Sequence, residues 1–465
     1  MSISKRKAKK LVQEGPVAIL GWGVSARAAA ALLNKLDVVY DVFDESDCRL
    51  TRAHYDDHEA TRYPVVVYSP GFPETHEWVK RARKEASLCI TELDFAALYF
   101  EGRVIAVTGT NGKTTFTSLM THALRNAGID AVAVGNIGFP LSRLMAHGTH
   151  TEAKTAVCEV SSFQAESLKY YECDAMIWTN FAPDHLDRYE GEQTYFQAKH
   201  GLFDCLRSTK AYVGSSVASA AQQLGCSLPD YAQIVEPDTY AEFGEMPKHP
   251  GMRENEALLC ACWNDMGYSN KLSFAQAIEH FSPPDYRCQL TATLEGVKLW
   301  NDAKSTNLAA TVSALQQFSE PVLWIGGGQS KGEAIHDSMD FVARKIAGAS
   351  LLGDTAMILR EALRHRGVDA ACNDSLEEAL MSCLDHAQRV GNIHHILFSP
   401  GFASFDQYRD YQQRGAEFEE LVLALKIKER QSMVEGEPIT DISGFRYSKT
   451  HAHPTPITVN TKEDL

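Results

Sequence analysis

The stretch Val107-Thr108-Gly109-Thr110-Asn111-Gly112-Lys113-Thr114-Thr115 lies between an apolar run, Val104 to Val107, and a helical pattern from Lys113 to Asn126. Strand, glycine-rich turn and helix in that order gather backbone N–H groups around phosphate oxygens at the helix N-terminus. Lys113 can reach the outer phosphates, and the Thr114 hydroxyl can ligate Mg²⁺. Val107 stands five positions before Gly112, where the full phosphate-loop pattern has glycine. A glycine-rich turn with a chance Gly-Lys-Thr-Thr is the competing reading, and the flanking strand and helix favour phosphate binding.

Outward from this loop, strands are expected at Ala131 to Val134, Thr155 to Val160 and Ala175 to Thr179, which makes the middle region α/β. Towards the N-terminus, Val17 to Leu20, an Ala-rich helical stretch from Ser25 to Lys35, and Val38 to Phe43 read as β-α-β. Val65 to Tyr68 adds a strand and Trp78 to Ala86 a helix. Towards the C-terminus, helices at Asn255 to Met266 and near Phe274 to His280 precede Pro283-Pro284, where a boundary is placed. A third series follows, with strands at Val297 to Trp300, Val322 to Ile325, Ala349 to Leu352 and His395 to Phe398, and a last helix from about Asp406 to Ile427. Beyond Lys428 the polar, proline-bearing tail is expected to be loosely ordered.

A length of 465 residues fits about three domains. Apolar residues at 44% and charged residues at 23% are ordinary for globular protein. With 45 Lys and Arg against 60 Asp and Glu, the net charge of −15 disfavours sequence-independent nucleic-acid binding. Eleven cysteines without a CxxC pair suggest reduced thiols in a cytosol, with neither a disulfide framework nor a zinc site. No signal peptide and no transmembrane helix are expected.

Other segments carry chemistry. Gly21-x-Gly23-x-x-Ala26, with Asp41 or Asp44 about 20 residues on, has the form of a dinucleotide fingerprint, and an ordinary tight βα turn explains it almost as well. Glu159-Val160-Ser161-Ser162-Phe163-Gln164 and Asn180-Phe181-Ala182-Pro183-Asp184-His185-Leu186-Asp187 fall at the ends of expected strands. A carboxylate and an imidazole placed there could hold Mg²⁺ between ATP and a second anionic substrate. Trp300-Asn301-Asp302-Ala303-Lys304-Ser305-Thr306-Asn307 sets acid, base and hydroxyls in one short loop, as a solvated turn also would.

Taken in order, these segments and Gly135-Asn136-Ile137-Gly138 resemble the Mur ligase family, ATP-dependent enzymes that build the peptidoglycan stem peptide; the likeness spans roughly residues 17 to 425. The Ser-Ser-Phe-Gln run, Gly327-Gly328-Gln329-Ser330-Lys331-Gly332 and Ser399 to Gln407 are most similar to the family's D-glutamate-adding branch.

The resemblance implies an α/β fold with a Rossmann-like UDP-sugar domain over 1–100, a P-loop ATPase domain over 101–284, a Rossmann-like amino-acid-binding domain over 285–428 and a flexible tail over 429–465. It implies ligation of D-glutamate to UDP-N-acetylmuramoyl-L-alanine with ATP and two Mg²⁺ ions, by a cytoplasmic monomer acting on small molecules, away from nucleic acid and membrane.

By the same resemblance, Gly109, Thr110, Asn111, Gly112, Lys113, Thr114 and Thr115 would hold ATP phosphates, and Asn255, Arg287 and Asp302 the nucleoside. Thr114, Glu159, His185 and an N-carboxylated Lys199 would ligate magnesium. Asn136 would contact the acceptor near its reacting carboxylate. Gly21, Gly23, Val24, Ser25 and Asp44 would line the UDP pocket; Lys304, Thr306, Lys331, Ser404, Phe405 and Tyr411 would face D-glutamate or the moving phosphate.

Departures from the family pattern fall at Gly251-Met252-Arg253-Glu254-Asn255 and Tyr286-Arg287, near the expected adenine, and at Tyr411, where phenylalanine is usual. The alternatives are a ligase for another amino acid or for folate polyglutamate, and a nucleotide-binding dehydrogenase or regulator reading only Gly21 to Ala26.

Overall fold

In the computed structural model, which describes residues 3–45, 52, 54–236, 252–267, 278–332 and 335–435, each β-rich stretch of the chain closes its own sheet. The first holds β1 (Val17–Leu20), β2 (Tyr40–Phe43), β3 (Val65–Tyr68) and β4 (Leu88–Thr91), all parallel in the order β2-β1-β3-β4. Every position of β1, β3 and β4 is buried, because helices on both faces of a parallel sheet leave no polar side.

The second sheet comprises β5 (Arg103–Thr108), β6 (Ala131–Gly135), β7 (Thr155–Glu159), β8 (Ala175–Trp178), β9 (Ala211–Gly214) and β10 (Ala232–Val235). Its order is β10-β9-β8-β5-β7-β6, again all parallel. From β5 the chain winds first to one side, through β6 and β7, and then to the other through β8. The end of β5 is therefore the switch point at which open α/β sheets gather ligands.

The third sheet is built from β11 (Gln289–Leu294), β12 (Val297–Asn301), β13 (Val322–Gly327), β14 (Ile346–Leu352), β15 (Ala370–Cys372) and β16 (His395–Phe398), ordered β11-β12-β16-β13-β14-β15. Only β11 runs antiparallel, joined to β12 by the two-residue turn Glu295-Gly296 with φ of 48° and 85°, the geometry that matches strand twist in a tight hairpin.

One apolar core runs from the first sheet into the second and includes Val17, Leu33, Phe95, Val134 and Trp178. Asp94 reinforces that junction by accepting backbone N–H bonds from Lys169, Tyr170 and Tyr171. The third sheet has separate cores on its two faces, around Phe398 and Phe418 on one and Trp324 and Leu359 on the other.

The structure corrects several boundaries read from the sequence. β2 starts at Tyr40, not Val38, because Val38 and Val39 form the irregular link between the turn at Leu36-Asp37 and the strand. β4, β9, β10, β11 and β15 were not expected, nor was the basic helix Lys5–Glu14. The last helix is Tyr411–Glu435, so it begins later and extends further than the reading of Asp406 to Ile427. Phe274 to Ala277 of the expected helix, and residues 436–465 of the tail, lie outside the described residues. Among the described residues no helix is long and apolar enough to cross a membrane.

Candidate functional site

The phosphate loop is shaped by two glycines and pinned by the end of β8. Gly109 has φ of 145°, and a Cβ there would lie 2.0 Å from Thr179 Oγ1; Gly112, at φ 77°, caps the helix Lys113–Asn126. Both conformations belong to glycine. Thr179 Oγ1 donates to Asn111 O at 2.6 Å, while Asn180 accepts from Asn111 N at 2.8 Å through its side chain and from Thr110 N at 3.0 Å through its carbonyl. The loop is thus held open at the positive end of a helix dipole.

Two lysines meet on one carbonyl. Lys113 Nζ donates to Gly109 O and Thr110 O, each at 2.8 Å, and Lys199 Nζ donates to the same Gly109 O at 2.8 Å. Lys199 is 1% exposed, and its Nζ lies 4.7 Å from the centroid of the Tyr195 ring. Burial, then the nearby Lys113, hold the Lys199 amine well below the usual lysine range. Lys113 is lowered mainly by burial, with Glu159 and Asp184 working in the opposite direction. Burial also pushes Lys304 down to about 7, and Arg287 and Lys113 add to it.

Facing these lysines are two buried carboxylates. Glu159 Oε1 accepts from Asn136 Nδ2 at 2.9 Å, whereas its Oε2 is buried without a hydrogen-bond partner. Asp184 Oδ1 accepts from Lys331 Nζ at 3.0 Å and from His185 N at 2.8 Å, and its Oδ2 accepts from Asn307 Nδ2 at 2.9 Å. Burial raises the Asp184 carboxyl, but Lys331, His185 and Asn307 outweigh it and keep it below the usual range. His185 adopts φ of 56°, and burial lowers its imidazole to about 4, so at neutral pH a ring nitrogen is available as a lone-pair donor.

A cavity of about 660 Å³ joins these groups. Its walls include the loop 110–115, Asn136, Glu159, His185 and Lys199 from the second-sheet region, Asn255 and Arg287 from the connection, and Asp302, Lys304, Thr306 and Lys331 from the third-sheet region. Most of the residues expected from the sequence therefore share one cleft. Asp302 lines it with both oxygens already engaged, by Cys288 N at 3.0 Å and Ser399 Oγ at 2.7 Å. Asn255 sits on the phosphate loop, donating to Gly112 O at 3.4 Å. Of the departures near the expected adenine, Met252 also lines the cleft, Tyr286 packs on Gly415, and Gly251 lies outside the described residues.

Other expected residues stand apart. Gly21, Gly23, Val24, Ser25 and Asp44 lie at the ends of β1 and β2 and the start of the following helix, where Asp44 Oδ2 accepts from Trp22 N at 2.6 Å and so closes the turn after β1. Ser404 is buried and does not line the cleft, Phe405 is 67% exposed, and Tyr411 stands under Lys304, whose Nζ is 3.9 Å from the ring centroid. The turn at Phe405 to Gln407 does not continue into a helix, so Ser404 is not the cap of one.

Residues the sequence reading gave no role complete the site: Asp184, Asn307, Asn180 and Arg414. The first three stand inside or beside quoted motifs, which was the available signal. Arg414 is buried in the last helix and donates to Ala303 O and Phe402 O, each at 3.1 Å, tying the loop that carries Lys304 to the loop after β16; its helical position carries no motif.

Comparison with known proteins agrees with this geometry. Residues 107–224 match the model of the Mur ligase middle domain. A protein of Protochlamydia amoebophila named UDP-N-acetylmuramoylalanine--D-glutamate ligase is 30% identical over 444 residues, covering 88% of this chain and 97% of its own. One of the same name from Desulfatibacillum aliphaticivorans is 31% identical, covering 78% of this chain and 85% of its own. In fold, the chain is similar to the crystal structure of UDP-N-acetylmuramate-alanine ligase MurC from Thermotoga maritima, with TM-score 0.55, 16% identity, and coverage of 88% of this chain and 99% of the other. A phosphate loop at the switch point of a parallel sheet, facing a lysine-bearing third sheet, and full-length relatives at this identity establish that the chain belongs to the Mur ligase family.

Proposed function

We propose that the chain is an ATP-dependent ligase that joins D-glutamate to UDP-N-acetylmuramoyl-L-alanine, releasing ADP and phosphate. The observation that carries this reading is the single cleft in which the phosphate loop faces Lys304, Thr306 and Lys331. The names of the relatives supply the amino acid and the acceptor. In this assignment the first sheet takes the UDP-sugar at the turn after β1, the second takes ATP, and the third takes D-glutamate. We place the reaction in the cytoplasm and assign it to a monomer.

An oxygen of the acceptor carboxylate attacks the γ-phosphorus of ATP, the bond to ADP breaks, and an acyl phosphate forms. The D-glutamate amine then attacks the acyl carbon, loses a proton, and phosphate departs. Lys113 neutralises phosphoryl oxygens where charge accumulates. Asn136, fixed by Glu159, orients the acceptor. Lys331 and Ser404, with Thr306, take the two carboxylates of the amino acid, which burial would otherwise penalise.

The donor set fits Mg²⁺. Glu159 Oε2 is an orphaned buried oxygen, His185 is neutral, and Thr114 is the second residue of the helix after the phosphate loop. These residues and Lys199 would hold the ions, whose charge would offset that of the phosphates. Lys199 as an ammonium would repel a cation; as a neutral amine its lone pair can add to the carbon of CO₂, lose a proton and become a carbamate anion. Its lowered basicity supports that chemistry. Mass spectrometry of the UDP-sugar product tests the assignment: a gain of one glutamyl residue supports it, and a gain of another amino acid with D-glutamate left unused contradicts it.

A further inference from the structure

Asn307 ends the loop that carries Asp302, Lys304 and Thr306, yet no step above uses it. It is 3% exposed, and its amide is saturated. Oδ1 accepts from Ala310 N at 2.9 Å, capping the helix Leu308–Leu315, and from Asn111 Nδ2 at 3.2 Å. Nδ2 donates to Asn111 Oδ1 at 3.2 Å and to Asp184 Oδ2 at 2.9 Å. Two donors and two acceptors are all that an asparagine side chain has.

The partners belong to different parts of the molecule. Asn111 is within the phosphate loop, its own backbone fixed by Asn180 and Thr179. Asp184 follows β8 and also holds Lys331, from the loop after β13, at 3.0 Å. Asn307 follows β12. One amide therefore connects the phosphate loop, the segment beside His185 and two loops of the third sheet. Aspartate could cap the helix but has no N–H for Asn111 or Asp184, and would set a carboxylate against Asp184. Serine could cap it but is too short to reach either.

We propose that Asn307 is a positioning residue whose amide seats the third sheet on the phosphate loop, holding the amino-acid loops in register with the ATP phosphates. This rests on the ligase reading above. Its consequence is selective: losing the amide impairs use of the amino acid and leaves nucleotide binding to the free enzyme intact.

The test uses full-length Asn307→Ser and Asn307→Asp, both of which keep a helix-capping oxygen. Asn307→Asp loses two buried side-chain bonds and Asn307→Ser three, one of them in each case to a carboxylate, which corresponds to a fall in kcat/KM for D-glutamate on the order of tenfold to a hundredfold. Affinity for Mg·ADP, measured by calorimetry, should stay within about twofold. Asn307→Asp should also show a larger radius of gyration by X-ray scattering than wild type. Unchanged kcat/KM for D-glutamate in both variants, or loss of ADP affinity matching the loss for D-glutamate, overturns the proposal. A wild type that makes no product counts against the ligase reading alone; scattering then decides the seating, and an unchanged radius in Asn307→Asp overturns it.

Discussion

Replacing Lys199 by methionine separates the two roles a buried lysine can have. Lys113 and Lys199 each lie 2.8 Å from Gly109 O, so their nitrogens are at most 5.6 Å apart. At an effective dielectric constant of about 20, two positive charges at that distance repel by about 3 kcal/mol. Together with burial, this favours a neutral Lys199. Methionine has nearly the same length and gives up one hydrogen bond, of about 0.5–1.5 kcal/mol, to a carbonyl that keeps Lys113. Stability at pH 7 should therefore change by about 1 kcal/mol or less, a few degrees in Tm, while, under the proposal that Lys199 becomes a carbamate, phosphate release falls at least about 100-fold because that oxygen donor can no longer form.

The pH dependence has a definite sign. Below about 10.4 the unfolded chain binds a proton at Lys199 that the folded chain does not, so this residue lowers wild-type stability progressively as pH falls from there towards its depressed folded value. Lys199→Met removes that slope and should gain on wild type at lower pH. Thermal melts from pH 6 to 10 and a coupled phosphate assay read both effects. A loss of more than about 3 kcal/mol on substitution, the cost of breaking a charged, paired group, or near-normal turnover, would refute the reasoning.

Lys113→Ala should retain the fold by circular dichroism and lose phosphate release by about 100-fold or more; near-normal turnover would remove the phosphate loop from the mechanism. Gly109→Ala forces a Cβ to within 2.0 Å of Thr179 Oγ1, and calorimetry should find ATP affinity weakened at least tenfold, on the order of 1–3 kcal/mol of strain; wild-type affinity would show that the loop can relax. Lys331→Ala and Ser404→Ala should raise KM for D-glutamate much more than KM for ATP or the UDP-sugar, and equal changes in all three would count against placing the amino acid on the third sheet.

The parallel strands at the centres of the sheets were legible because burial on both faces leaves continuous apolar runs, as in Val65 to Tyr68. The strands missed were of another kind. β11 at the sheet edge has half of its positions exposed, Gln289 and Leu290 among them, so burial does not shape it into an apolar run, and β15 is three residues long. β4 and β9 are buried but short, and each passes directly into a helix, so the change of period is lost. The phosphate loop was legible because Gly109 and Gly112 need backbone conformations few other residues adopt. Asn111 and Asn307, 196 positions apart, carry no sign in sequence that their amides meet. Nor does Lys199 announce its burial: it follows Tyr195 and Phe196 on a short helix, and only the fold brings its Nζ to within 2.8 Å of Gly109 O.

The central claim is most directly tested by phosphate release from ATP across a matrix of acceptors and amino acids, with each substrate omitted in turn. The account requires sustained release only when UDP-N-acetylmuramoyl-L-alanine and D-glutamate are both present with Mg²⁺. Release that is indifferent to the amino acid, or that proceeds with alanine as well as with D-glutamate, would contradict it.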